Sequence, residues 1–322
     1  MRVLFFGTSL FAVPTLQALH AAATRHEILG VVTQPDRPKG RGQKLQMSPV
    51  KAQALELGYP VHQPERVRRK PFPEIVAAMA PDALVVVSFG QILPQALLDL
   101  PRRGGINVHA SLLPRWRGAA PIHHALLAGD AETGVATMRM EATLDTGPTF
   151  LAAREPIRPD DNVATLEARL AALGGPLLVQ TLDGLEAGTL SERPQDAAGV
   201  TLAPPVTRET GLLDPRIEDA EALSRRVRGT TPRPGAFLVL GDRLVKILEA
   251  HPELAAGASA PAAADAGTVA AAGKTGLLIA AADATLLRLT RLQPEGRGPM
   301  TGAEFALGAR LVPGDPARRP DP

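Results

Sequence analysis

Residues 82–112 read DALVVVSFGQILPQALLDLPRRGGINVHASL, and this stretch decides the fold. Ala83–Val87 is an apolar run without alternation, the mark of a strand covered on both faces, and it stops at Ser88-Phe89-Gly90. A second strand-like piece, GINVHASL at 105–112, follows after a connection long enough for a crossover. Two earlier pieces repeat the arrangement. VLFF at 3–6 ends on Gly7 and GVVTQP fills 30–35, with PTLQALHAAAT between them. There Leu16 and Leu19 stand at helical spacing and Pro14 sits where a helix start tolerates proline. A further helix is expected around Pro73–Ala80. Apolar runs alternating with helical segments predict a parallel sheet with crossover helices, an α/β fold. Ligands in such folds bind at the C-terminal ends of the strands. That directs attention to Gly7-Thr8-Ser9, to Ser88-Phe89-Gly90 and to the residues after Gly105.

With 322 residues, the chain is too long for one core of about 100–150, so two domains are expected. Hydrophobic residues at 45% and charged residues at 21% describe a globular chain rather than a disordered one. No run approaches the ~18 apolar residues of a membrane helix. MRVLFFGTSLFAVP makes a poor signal peptide because Gly7, Thr8 and Ser9 interrupt its apolar run, so a cytoplasmic protein is expected. The absence of cysteine excludes disulfides, thiolate metal sites and cysteine nucleophiles. A net charge of +2 carries no overall attraction to nucleic acid, so the placement of basic residues matters more than their number.

The alternation fades after about residue 185. Residues 188–209, GTLSERPQDAAGVTLAPPVTRE, are polar and rich in proline and glycine, and read as a linker. EDAEALSRRVRG at 218–229 predicts one helix ending at Gly229. Short strand-like pieces follow at 236–241, 243–250, 276–281 and 285–293, an order that fits a small β-barrel with one helix. The alanine-rich 252–274 reads as a loop. The expected division is an α/β domain over 1–187, a linker over 188–207, a barrel over 208–313 and a disordered tail over 314–322.

Asn107 and His109 end a predicted strand on the same face, aimed at the expected cleft. An amide beside an imidazole can polarise a carbonyl and manage a proton, the two tasks of acyl transfer. Asp145, in the turn Leu144-Asp145-Thr146-Gly147, could orient that imidazole; taken alone, a turn aspartate is the simpler reading. Between them, Ser111–Ile122 gathers the single tryptophan, two prolines, a glycine and two arginines, as a shaped ligand-binding loop does. Adjacent His123 and His124 point about 100° apart on a helix and lack a HExxH context or a cysteine partner, so they read as structural or surface residues. Residues 33–51 carry Arg37, Lys39, Arg41, Lys44 and Lys51 against one acid, Asp36, a composition suited to phosphate contact. GTSLFA after the first strand lacks the GxGxxG spacing of a dinucleotide site. Neither GxxxxGK[ST] nor GxSxG occurs.

Taken together, FFGTSLFAVPTL, VVTQPDRPKGRGQKLQMSPVK, VVVSFGQILP and GINVHASLLPRWRGAAPIHHALLAGDAETGVATMRMEATLDTGP resemble the methionyl-tRNA formyltransferase family. RLQPEGRGPMTGAEFALGAR, near the C-terminus, is similar to that family's closing segment. The resemblance implies a Rossmann-like formyltransferase domain followed by an oligonucleotide-binding (OB)-type barrel. It implies transfer of a formyl group from 10-formyltetrahydrofolate to the α-amino group of methionine on initiator methionyl-tRNA, with no metal. By the same resemblance Asn107, His109 and Asp145 are catalytic. Ser111, Leu112, Leu113 and Pro114, with Phe89, Gly90, Ile92 and Leu93, form the folate pocket. Arg37, Lys39, Arg41 and Lys44 contact tRNA, and a monomer is expected. The alternative is a folate-dependent formyltransferase acting on a small amine such as an amino-sugar nucleotide, against which the basic loop and the appended barrel argue. A non-catalytic RNA-binding protein is opposed by the intact Asn107, His109 and Asp145.

Overall fold

In a computed structural model, which describes residues 1–39, 44–253 and 264–321, the apolar runs become the centre of a seven-stranded sheet. In spatial order its strands are Thr149–Pro156, Glu132–Arg139, Gly105–His109, Ala83–Val87, Arg2–Gly7, Glu27–Val32 and Val61–His62. The last five run parallel, with Phe5 beside Val85 on one side and Val31 on the other. Two antiparallel strands complete the other edge. The order grows outward from Arg2–Gly7 to one side and then returns to the other, so Arg2–Gly7 and Ala83–Val87 flank the switch point. Side chains tie the strand ends there: Thr8 Oγ1 and Gln34 Nε2 donate to Phe89 O at 2.7 and 3.2 Å, and Ser9 Oγ to Ser88 Oγ at 2.7 Å.

All five residues of Ala83–Val87 are buried, as an unalternating run requires. Leu4, Phe6, Leu84 and Val86 share one core with Phe72 and Val76 of the helix Phe72–Met79 and with Leu93 and Leu97. The helix Pro49–Glu56 starts at Ser48, whose Oγ accepts from Lys51 N at 3.0 Å.

The chain divides into two compact units, 1–121 with 132–156 and 167–203, and 122–131 with 157–166 and 204–322. The expected linker is therefore different up to Ala203: it belongs to the first unit. Arg193 and Thr149 exchange backbone hydrogen bonds of 2.8 and 2.9 Å, and Leu202–Ala203 pairs in parallel with Arg117–Gly118. A polar, proline-rich stretch can be ordered this way because main-chain bonding asks little of side-chain type.

In the second unit, the helix Ala220–Thr230 is capped by Asp219, which accepts from Ala222 N at 2.7 Å. Its antiparallel strands run, in spatial order, Thr268–Gly273, Gly276–Ala280, Leu286–Pro294, Arg243–Glu253, Ala236–Leu240 and Ala317–Arg318. They enclose a core of Leu223, Val227, Leu238, Ile247, Ile279 and Leu287. The two end strands approach each other: Val269 N donates to Asp315 O at 2.8 Å and Ala317 N to Gly267 O at 2.7 Å, giving a nearly closed antiparallel barrel. Two expectations are corrected here. The loop expected over 252–274 contains the strand Thr268–Gly273, and the tail expected over 314–322 supplies the closing strand, with Ala317 fully buried. Alanine and glycine have little strand propensity of their own, so pairing on both sides decides these segments.

Among the described residues no helix is long and apolar enough to cross a membrane, and no cluster of histidine and acidic residues could hold a metal ion.

Candidate active site

Asn107 and His109 project from the end of Gly105–His109, whose backbone pairs with Ala83–Val87 on one side and Glu132–Arg139 on the other. Such double pairing holds both side chains to a fixed direction. Asp145 comes from the turn beyond Glu132–Arg139 and has left-handed backbone, φ +53°. Its carboxylate reaches three groups. Oδ2 accepts from Gly118 N at 2.9 Å and lies 3.7 Å from His109 Nδ1, while Oδ1 accepts from Asn107 Nδ2 at a long 3.5 Å. The other ring nitrogen, His109 Nε2, lies 2.9 Å from Trp116 O. A carbonyl only accepts, so Nε2 carries the hydrogen in that bond, and Nδ1 is the atom left to take or release a proton. Both side chains are largely covered, His109 at 7% exposure and Asp145 at 12%. The three residues singled out in the sequence thus meet at one place.

The Ser111–Pro114 segment is shaped from within. Ser111 is fully buried and its Oγ donates to Arg115 O at 2.6 Å, which closes the loop and leaves no hydroxyl pointing outward. Leu112 lies over Gly134, where a Cβ would stand 2.5 Å from Leu112 Cδ2. Leu113 and Pro114 are half-buried, and Arg115 stacks on the Trp116 ring at 4.2 Å. The other four predicted pocket residues divide. Phe89 and Leu93, each 2% exposed, put their side chains into the core, Phe89 edge-on to Phe6 at 5.2 Å. Gly90 and Ile92 are exposed, Ile92 at 80%.

Within the basic segment 33–51, Arg37–Lys39 pairs with Lys44–Gln46 as a two-stranded ribbon, and Arg37 is exposed. Arg41 and the side chains of Lys39 and Lys44 lie outside the described residues. Lys51 has a different task from the other cations: its Nζ donates to Asp36 Oδ2 at 2.6 Å and to Gln63 Oε1 at 2.7 Å. The Lys51 hydrogen bond, followed by that of Gln63, holds the Asp36 carboxyl below its ordinary range. These contacts anchor the base of the ribbon.

Comparison with known proteins agrees with this architecture along the chain. A formyl transferase family model matches residues 1–182 and a formyl transferase C-terminal domain model matches 205–310. The methionyl-tRNA formyltransferase of Halorhodospira halophila is 48% identical over 318 residues, covering 98% of this chain and 99% of that protein. That of Acidithiobacillus ferrooxidans is 46% identical over 314 residues, covering 98% and 97%. This chain belongs to the methionyl-tRNA formyltransferase family. Among solved structures, WlaRD, a sugar 3N-formyl transferase, shares the fold with TM-score 0.65 at 14% identity, covering 92% of this chain and 99% of that one. HypX from Aquifex aeolicus in complex with tetrahydrofolic acid does so with TM-score 0.60 at 16% identity, covering 95% and 47%.

Between the two matched regions lies a group of residues that the sequence reading missed. Gln195 Nε2 donates to Asp145 O at 2.9 Å and to Gly147 O at 2.7 Å, while its Oε1 accepts from Arg117 Nε at 3.0 Å. Thr201 Oγ1 accepts from Trp116 N at 2.8 Å. Nothing in the composition of 188–203 marks these residues; only their contacts do.

Proposed function

We propose that this enzyme transfers the formyl group of 10-formyltetrahydrofolate to the α-amino nitrogen of methionine carried by initiator tRNA. The observation that carries the reading is the meeting of Asn107, His109 and Asp145 at the mouth of a parallel sheet, inside a chain of the methionyl-tRNA formyltransferase family. The amine nitrogen attacks the formyl carbon, and the carbonyl π electrons move onto oxygen. Asn107 Nδ2 donates one hydrogen toward Asp145 and has a second for that oxyanion. As the tetrahedral species collapses, the C–N bond to the folate breaks, the attacking nitrogen loses a proton and the departing N10 gains one. His109 Nδ1 carries that proton between them. Its other nitrogen is held by Trp116 O, and Asp145 faces the protonated ring. The amine starts near pKa ~8, and lower beside an ester, so no strong base is needed.

In this reading Ser111–Pro114, with the exposed backbone at Gly90 and Ile92, forms the folate pocket. Phe89 and Leu93 support it from the core side. The basic residues Arg37, Lys39, Arg41 and Lys44 meet tRNA phosphates, and the barrel of the second unit adds RNA contact. The test is formyl transfer from 10-formyltetrahydrofolate to methionine-charged initiator tRNA, with elongator methionyl-tRNA and free methionine as comparators. Strong preference for the initiator supports the reading. Transfer to small amines alone would replace it with the amino-sugar alternative.

A further inference from the structure

We propose that Gln195 is a positioning residue for formyl transfer, acting through the backbone of Asp145 in a strap, residues 193–203, that holds both partners of His109. The inference rests on the catalytic reading of His109 and Asp145 given above. His109 is set between two oxygens, the Asp145 carboxylate on the Nδ1 side and Trp116 O on the Nε2 side. Both oxygens come from residues with left-handed backbone, φ +53° at Asp145 and +63° at Trp116. Such a conformation is uncommon outside glycine, easier for an aspartate than for a bulky tryptophan, and contacts from outside the turn hold it in place. The strap supplies that constraint at both places.

At Asp145 the constraint is one amide. The two hydrogens of Gln195 Nε2 go to the carbonyls of Asp145 and Gly147, which brackets the turn from which the carboxylate projects. The Gln195 oxygen receives Arg117 Nε–H, so the same side chain joins this turn to the loop carrying Trp116. At Trp116 the constraint is a register of contacts. Thr201 Oγ1 accepts from Trp116 N, Arg117 N donates to Thr201 O at 2.9 Å, and Ala120 N to Ala203 O at 3.1 Å. Pro114 rests on Gly199, where a Cβ would stand 3.1 Å from its ring. Every one of these strap residues falls between the matched regions 1–182 and 205–310.

The donor count makes the claim specific. Only an amide offers two hydrogens to the carbonyls and an acceptor to the arginine at once. Glutamate keeps the shape and the bond to Arg117 but turns a lone pair on the two carbonyls. Gln195→Ala is therefore expected to lower kcat on the order of 10- to 100-fold, the cost of loosening a catalytic group by a fraction of an ångström to an ångström. KM for the folate donor and for methionyl-tRNA should stay within about twofold, because the strap meets the machinery rather than the substrates. Gln195→Glu, which cannot fail through loss of volume, should be impaired most near pH 8. It should recover in part relative to the unaltered enzyme only as the pH is lowered toward the ordinary glutamate value near ~4.3, where a protonated carboxyl can again donate one hydrogen.

The measurements are single-turnover formylation rates, both KM values and Tm for the two variants, with His109→Ala alongside. The inference is overturned if Gln195→Ala keeps kcat within about twofold, if its loss appears only in KM or Tm, or if the Gln195→Glu ratio is flat with pH. Full activity in His109→Ala would sink the catalytic reading itself. An inactive His109→Ala beside a fully active Gln195→Ala would sink the strap alone.

Discussion

The loop 105–118 and the strap 193–203 build one site out of opposite kinds of sequence. The loop announces itself, with an amide, an imidazole, the only tryptophan, paired arginines and a proline in a few turns of chain. The strap is a polar stretch with the composition of a spacer, yet it reaches Asp145, Gly147, Trp116 and Arg117. Residues that touch the reacting atoms need particular functional groups, which is why they can be recognised by type. Residues that hold a backbone in place need their hydrogen-bonding groups at the right point in space, and a glutamine or threonine in a polar stretch does not show by its type that it is so placed.

The largest test of this contrast is made inside the loop. His109→Ala should lower the single-turnover formylation rate by about 100-fold or more while filter-binding affinity for tRNA is unchanged. An equal loss of binding would make His109 a structural residue and erase the distinction between loop and strap. Gly118→Ala tests the boundary between them. At φ +127° a Cβ would stand 2.6 Å from Ala203 O, so the side chain must push the strap off the loop. A fall in kcat of about tenfold with a Tm loss of a few degrees is expected, and a normal rate would show that strap contact is not needed for turnover.

Arg37→Ala leaves both regions alone. It should raise KM for tRNA by a few fold and flatten the dependence of binding on salt by roughly one phosphate contact, with folate KM unchanged. A change in folate KM instead would place the ribbon in the wrong subsite. The smallest effect is expected in the second unit. Arg216 Nε and one terminal nitrogen donate to the two oxygens of Asp214 at 2.9 and 2.8 Å, and that bond chiefly holds the Asp214 carboxyl below its ordinary value. The stabilisation is thus present above the unfolded value near 3.9 and lost as pH falls below it through the folded one. Asp214→Asn should lower Tm by a few degrees at neutral pH, by much less near pH 3, and leave kcat alone. A kcat effect would mean that the contrast within the first unit extends into the second.

The legible part of the fold was the part with strong periodicity. Ala83–Val87 and Arg2–Gly7 are apolar from end to end, and burial on both faces of a parallel sheet demands that pattern. Residues 218–229 predicted one helix stopping at a glycine, and Ala220–Thr230 forms it. Thr268–Gly273 and Ala317–Arg318 were illegible for the converse reason. Their composition fits a loop as well as a strand; hairpin pairing with Gly276–Ala280 and a bridge to Pro316 make the first a strand, and pairing with the distant Ala236–Leu240 makes the second one. Of the candidate pocket residues, type alone could not separate Phe89 and Leu93, which enter the core, from Ile92, which is exposed. Direction depends on the path of the chain after the strand ends.

By itself, the sequence determined the α/β sheet, the barrel that follows it, and the presence at a strand end of Asn107 and His109, because burial periodicity and functional-group chemistry are properties of short stretches. Only the tertiary structure decided that Asp145 faces His109, that Lys51 anchors a ribbon through Asp36, that Ala317 closes a barrel and that Gln195 holds the Asp145 turn. Each of these is a contact between residues far apart in the chain. Its energy depends on a geometry that no local pattern encodes.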